Sequence, residues 1–160
     1  MTADRSNAED LGHAALQWLL SQAQSSGEAV AWSAFPGGEE PDPTLYSGGA
    51  GIVLALVEGH RHFGDERYAE AAIRGGRGIA DAVERWDHSG LYFGLTGMAF
   101  ALQSLAAEYA VEELRQSARR ALDHVRSRFD GVRWSAQVEL LAGIALGALA
   151  MGEVDLAVTA

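Results

Sequence analysis

Three stretches of this chain repeat one another, and that recurrence limits the possible fold more than any other feature. One reads Leu91-Tyr92-Phe93-Gly94-Leu95-Thr96-Gly97-Met98 and runs on to Leu102. An earlier copy reads Leu45-Tyr46-Ser47-Gly48-Gly49-Ala50-Gly51-Ile52 and runs on to Leu56. A worn third copy is Leu141-Ala142-Gly143-Ile144-Ala145-Leu146-Gly147, continuing to Met151. The leading glycines Gly48, Gly94 and Gly143 stand 46 and 49 positions apart, and in this register Leu146 takes the place of the second glycine. A period of that length means stacked supersecondary units. Each copy has an aromatic or apolar lead-in, a glycine step and an apolar run too long for a typical strand. Glycine at a helix start lets two backbones approach, and the run behind it predicts a helix buried on most sides.

The rest of the chain arranges itself around these units. Ser6 or Asn7 can cap a first helix from about Ala8 to Gln24, which Ser25-Ser26-Gly27 would stop. We therefore assign 1–27 to an N-terminal helix and 28–44, with Pro36-Gly37-Gly38 and Pro41-Asp42-Pro43, to a loop. Repeat one covers 45–90, repeat two 91–136 and a partial repeat three 137–160, all within a single domain. Behind each inner helix a more polar outer helix is expected, over Glu66–Trp86 in repeat one and Val111–Phe129 in repeat two. No glycine or proline marks the turn at Glu108-Tyr109-Ala110; the repeat alone predicts it. The fold class is all-α, stacked helical hairpins in about three repeats.

Charge and composition narrow the function. A net charge of −10 argues against nucleic acid or an anionic membrane as partner. The longest apolar stretch, Leu140 to Met151, is too short to span a bilayer. Asp4, Glu9 and Asp10 replace the basic-then-apolar pattern of a secretory signal, so a cytoplasmic location is expected. With no cysteine, disulfides and thiolate metal sites are excluded.

The residues Gly48-Gly49-Ala50-Gly51, Gly64-Asp65-Glu66-Arg67-Tyr68 and Tyr92-Phe93-Gly94-Leu95-Thr96-Gly97 together resemble the lanthionine synthetase C-like family, from about Leu45 onward. The resemblance implies an α/α toroid, here incomplete, with an inner ring of helices that each begin at a glycine step. It also implies lanthipeptide biosynthesis: a cysteine thiol adds to dehydroalanine or dehydrobutyrine and closes a thioether ring. Family members activate that thiol with zinc held by two cysteines and a histidine from later repeats. This chain has no cysteine, so its zinc site is absent and no cofactor is expected. Whether the chain is an enzyme stays open. Many members carry an Asp four residues before the first glycine of the third repeat, at the central cavity. Counted from Gly143 that position is Glu139, the one candidate catalytic residue the resemblance supplies. The alternative for Glu139 is an acid at a helix start, where negative charge is favoured.

Other features read as structural. Gly75-Gly76-Arg77-Gly78 lacks the Lys-Ser/Thr ending of a phosphate loop and fits close helix packing better. His60 and His62 fall on different helix faces, and with His13, His88 and His124 they read as surface or helix-end residues. Trp18, Trp32, Trp86 and Trp134 read as core and inter-helix packing. The expected function is that of a part, or a reduced relative, of a lanthionine synthetase C-like cyclase, not catalytic alone. Its expected partners are a precursor peptide or a partner modification enzyme. The alternatives are a peptide- or protein-binding helical scaffold and a toroid-type sugar-processing enzyme, although the latter needs paired carboxylates. The apolar third repeat, Leu140 to Met151 with Leu156 and Val158, predicts self-association.

Overall fold

A computed structural model describes the backbone of residues 2–128 and 138–159, and the side chains of 7–128 and 141–159. The described residues form helices α1 (Thr2–Ser21), α2 (Gly49–Phe63), α3 (Glu66–Ala82), α4 (Leu95–Tyr109), α5 (Glu112–Ser127), α6 (Val138–Ala150) and α7 (Val154–Thr159). A 3-10 turn, Val83–Arg85, follows α3. Two short strands, β1 (Gln24–Ser26) and β2 (Ala29–Ala31), pair antiparallel with Ser25 opposite Val30. The three inner helices α2, α4 and α6 lie side by side in chain order, and α3 and α5 back the first two from outside. The architecture is the all-α stack of hairpins that the repeat predicts.

Apolar spacing decides which helix goes where. Along α4 the side chains of Leu95, Met98, Ala99, Ala101, Leu102, Leu105 and Ala106 are all fully buried, as a helix packed on nearly every side requires. On α5 only Leu114, Ser117, Ala118, Ala121, Leu122 and Val125 are buried, a stripe at 3–4-residue spacing with arginines and acids opposite. Asp65 caps α3 by accepting from the Arg67 backbone N–H (3.0 Å). Arg67 also donates from its side chain, and together these bonds hold the Asp65 carboxyl down at about 2.

The glycine steps are places where no Cβ fits. A Cβ on Gly48 would overlap the Asp42 carbonyl oxygen, one on Gly94 the His88 carbonyl oxygen, and one on Gly97 the Leu91 carbonyl oxygen. Gly75, Gly76 and Gly78 serve close packing as expected: added carbons there would run into Val53 (2.5 Å), Leu105 (2.8 Å) and the Val30 carbonyl respectively.

The third repeat sits in a different register from the one its glycines suggest. A Cβ on Gly97 would lie 2.9 Å from Leu45 Cβ, and one on Gly143 would lie 3.2 Å from Leu91 Cβ. Leu45 and Leu91 are repeat equivalents, so Gly143 matches Gly97 and Gly51, not Gly94 and Gly48. The period is then 46 in both steps, and Leu140 rather than Leu146 is the substituted position. A fourth glycine of the same kind, Gly147, abuts Thr96 of the preceding helix.

Several other expectations change. Helix α1 starts at Thr2 and stops at Ser21, so Ser6 and Asn7 are not its cap and Ser25-Ser26 belong to a strand. The 28–44 loop contains β2, and α3 gives way to the 3-10 turn before Trp86. His13 is not a surface residue: it is half-buried, with its Nδ1 against Tyr68 Oη (3.1 Å) and its ring edge-on to Phe63, so it docks α1 on the first hairpin. Trp18 is half-exposed rather than core, whereas Trp32 is buried and bonds through Nε1 to the Leu19 carbonyl (2.8 Å). Trp134 lies outside the described residues.

The unmarked turn falls where the repeat places it. Gly64 ends α2 in the left-handed region at φ 67°, and Ala110, 46 residues later, ends α4 at φ 55°. A Cβ in that region is strained, and glycine relieves it at the cost of some unfolded-state entropy. Ala110→Gly is expected to raise stability by about 0.5–1 kcal/mol, seen as a melting temperature higher by about 1–4 °C. A lower melting temperature would mean that Ala110 is not strained.

Candidate functional site

Among the described residues, the turns that lead into the inner helices carry the most concentrated exposed aromatic surface. Two equivalent turns build it. Ahead of α2, the Asp42 carbonyl accepts from Gly49 N–H (2.7 Å) while its carboxylate accepts from Thr44 N–H (2.8 Å) and Ser47 Oγ (2.6 Å). Ahead of α4, 46 residues on, the His88 carbonyl accepts from Leu95 N–H (2.8 Å) and its Nδ1 from Gly90 N–H (3.2 Å). An acid and an imidazole thus perform the same task, closing the turn that feeds a helix. In the sequence Asp42 stands out only as part of a Pro-Asp-Pro loop, and His88 only as a surface histidine. The shared spacing of 46 is the signal that joins them.

These turns present Tyr46, Tyr92 and Phe93. Tyr46 N–H donates to the Tyr92 carbonyl (3.0 Å), which joins one turn to the other. The Tyr46 ring lies 5.1 Å from Phe93 and 6.4 Å, edge-on, from Tyr92. Trp86 Nε1 donates to the Phe93 carbonyl (2.9 Å) and fixes that backbone from behind. The three rings nevertheless remain 73%, 57% and 50% exposed. Rings held by backbone bonds yet left open to water form a rigid, amphipathic contact surface. Beside them a cleft of about 370 Å³, lined by Trp32, Asp42, Pro43, Gly78, Arg85 and Trp86, shares the Asp42 turn. From sequence alone Tyr46 and Tyr92 read as lead-ins to helices, with no role of their own. Tyrosine at the same place in two repeats, two residues before a glycine step, is the available signal.

Glu139 falls in the first turn of α6, and its side chain lies outside the described residues. The corrected register also places it opposite Ser47 and Phe93 of the earlier repeats, one residue before the substituted step glycine at Leu140.

Perturbed ionisation gathers away from these turns. At the opposite ends of α2 and α4, Arg61 pairs with Glu108 and Glu58, which raises the guanidinium and holds the Glu108 carboxyl low. Next to it Tyr109 Oη meets His60 Nδ1 (3.3 Å), and burial raises that phenol. Arg77 is raised by its bond to Glu113 between the outer helices. These contacts tie one hairpin to the next, and Arg77 and Glu113, paired with each other, also line a cleft of about 360 Å³. His60 and His62 point to different partners, as their spacing predicts: His60 to Tyr109 and His62 to Phe63.

Comparison with protein-family models matches residues 39–154 to Lanthionine synthetase C-like protein. The chain belongs to the lanthionine synthetase C-like family. Comparison with curated proteins and with solved structures gave no match. The family's zinc needs thiolate donors, and this chain has no cysteine. Among the described residues no three histidine, aspartate or glutamate side chains gather as ligands. The residues present do not fit that metal. Among the described residues, too, no helix is long and apolar enough to cross a membrane.

The Asp42 carboxylate is consumed by its own turn, so its removal is expected to act on stability. Asp42→Ala leaves Thr44 N–H unpaired and Ser47 Oγ with only the Thr44 hydroxyl (3.3 Å), and should cost about 1–3 kcal/mol in thermal unfolding. His88→Ala, which gives up one neutral bond at an exposed turn, should cost about 0.5–1.5 kcal/mol. Equal losses would contradict the difference in bonding between the two turns.

Proposed function

We propose that this chain holds a peptide against the aromatic surface at the starts of its inner helices. It does so as part of, or as a reduced relative of, a lanthionine synthetase C-like cyclase, and it does not close thioether rings by itself. The observation that carries this is the exposed Tyr46-Tyr92-Phe93 cluster, backbone-tied across two equivalent turns. Open aromatic rings with few rotatable bonds bind peptide side chains at low entropic cost, and their hydroxyls offer hydrogen bonds to a peptide backbone. The reading takes as substrate a precursor peptide carrying cysteine and dehydrated serine or threonine, the class on which lanthionine synthetase C-like cyclases act. The missing step is thiol activation, because a neutral thiol is a poor nucleophile and this chain has no cysteine with which to hold the family's zinc. The turns instead contribute position, since holding the reacting groups together lowers the entropic barrier to a cyclisation.

Fluorescence anisotropy with a labelled linear peptide containing cysteine and dehydrobutyrine tests this reading. Each of Tyr46→Ala and Tyr92→Ala should weaken binding by about fivefold or more, the effect of removing an aromatic contact worth roughly 1 kcal/mol. Ring closure leaves the mass unchanged, so mass spectrometry after thiol alkylation, with zinc added, should show no loss of alkylatable thiol beyond the uncatalysed rate. Binding unchanged in the double variant, or ring closure by the wild-type chain, would overturn the proposal.

A further inference from the structure

The cleft of about 370 Å³ beside the Asp42 turn lies inside repeat one, between the β1–β2 hairpin, the 41–43 segment and the end of α3. Its walls are fixed by the fold itself. Trp32 and Ile79, both buried, form the floor. The Trp32 indole donates to the Leu19 carbonyl (2.8 Å), and its own carbonyl accepts from Asp42 N–H (2.8 Å). Trp86 makes one side: its Nε1 bonds to the Phe93 carbonyl (2.9 Å), and its carbonyl accepts from Arg128 Nη1 (3.0 Å). Pro41 and Pro43 stiffen the segment opposite. Glycines and alanines line much of the rest, including Gly49, Gly75, Ala31 and Ala82. The result is a rigid, mostly apolar slot between two indoles.

Among the described residues, three charged side chains line it: Asp42, Asp81 and Arg85. The Asp42 carboxylate is already engaged by Thr44 N–H and Ser47 Oγ. Asp81 and Arg85 are exposed, and neither has a hydrogen-bond or ion-pair partner among the described residues. In a continuous α-helix an aspartate and an arginine four apart would face each other and pair. Here α3 ends at Ala82 and Val83–Arg85 tighten into a 3-10 turn, which takes Arg85 out of that register. Glu84, between them, is drawn instead to Arg120 and His124 on α5. Two opposite charges thus stand about one turn apart at the edge of an apolar slot.

A simple anion in this slot would meet a like charge at Asp81, and a simple cation would meet one at Arg85, each at a cost in affinity. A ligand with both charges on neighbouring atoms and an apolar body suits all three parts. The cleft is also at the small end of the range for ligand sites. We propose that it binds one free α-amino acid with a large apolar side chain, of the phenylalanine or leucine kind. The side chain lies between Trp32 and Trp86, the ammonium meets Asp81, and the carboxylate meets the planar fork of Arg85. The site is distinct from the exposed rings of Tyr46, Tyr92 and Phe93 and does not depend on their binding a peptide.

Calorimetric titration of the whole chain with L-phenylalanine should show one site with a Kd of about 0.1–1 mM. The indole N–H signals of Trp32 and Trp86 should shift in the proton–nitrogen correlation spectrum. L-Phenylalaninamide lacks the anion and N-acetyl-L-phenylalanine lacks the cation, and each should bind about tenfold or more weakly. Arg85→Gln should weaken L-phenylalanine by about the same factor, yet leave L-phenylalaninamide no weaker. Asp81→Asn should do the same for L-phenylalanine and leave N-acetyl-L-phenylalanine no weaker. Both residues are exposed, so the helical circular dichroism should be retained in each variant. Absence of saturable binding, or shifts confined to Trp18, would overturn the proposal. So would L-phenylalaninamide as tight as the amino acid, which would put the first residue of a peptide in the cleft, or variants that weaken all three ligands equally.

Discussion

Everything in this structure depends on backbone meeting backbone where an inner helix begins. At Gly48, Gly94 and Gly97 a carbonyl oxygen of the preceding turn occupies the volume in which any other residue would carry its Cβ. That contact lets the Asp42 and His88 carbonyls bond the first free N–H groups of α2 and α4, which have no side-chain cap. It also fixes the direction in which each helix leaves its turn, and with it the spacing of the hairpins. The aromatic residues just ahead of the step are turned outward because their backbone is committed inward.

Two ends of the same helices therefore do different work. The starts are rigid and aromatic at their surface. The far ends are knitted by Arg61, Glu108, His60 and Tyr109, and the outer helices by Arg77 with Glu113. Most of these ion pairs are solvent-exposed and contribute little stability singly; they align neighbouring hairpins. The function proposed for the chain falls at the helix starts for this reason, since that is where ordered aromatic side chains face water.

Much of the fold was legible because it rests on period and on apolar spacing. The inner and outer helices and the turn at Ala110 followed from two well-kept copies of one unit, and the close-packing glycines of α3 from the missing ending of a phosphate loop. The third copy misled because Leu140 replaces its first step glycine: matching Gly143 to Gly94 rather than to Gly97 shifts the register by three. Only the contact of Gly143 with Leu91 separates the choices. Ser6 and Asn7 looked like caps because capping residues are also tolerated within helices, and the β1–β2 hairpin is too short to show alternation. The site was least legible. Tyr46 and Tyr92 could be read as leading into helices, but their exposure depends on three-dimensional packing, and the Asp42–His88 equivalence joins residues of unlike chemistry.

The central claim is that the glycines at the helix starts are required for volume rather than for flexibility, and thermal unfolding of single Gly→Ala variants tests it most directly. Gly94→Ala and Gly97→Ala place a carbon against backbone that cannot move away, and each should cost about 1–3 kcal/mol or more by overpacking. Gly143→Ala meets the Leu91 side chain first, at 3.2 Å, and should cost less than about 1 kcal/mol, as its α-helical site also favours alanine. Losses in that order are the expected result. Equal losses at all three positions, or a gain at Gly97, would contradict it.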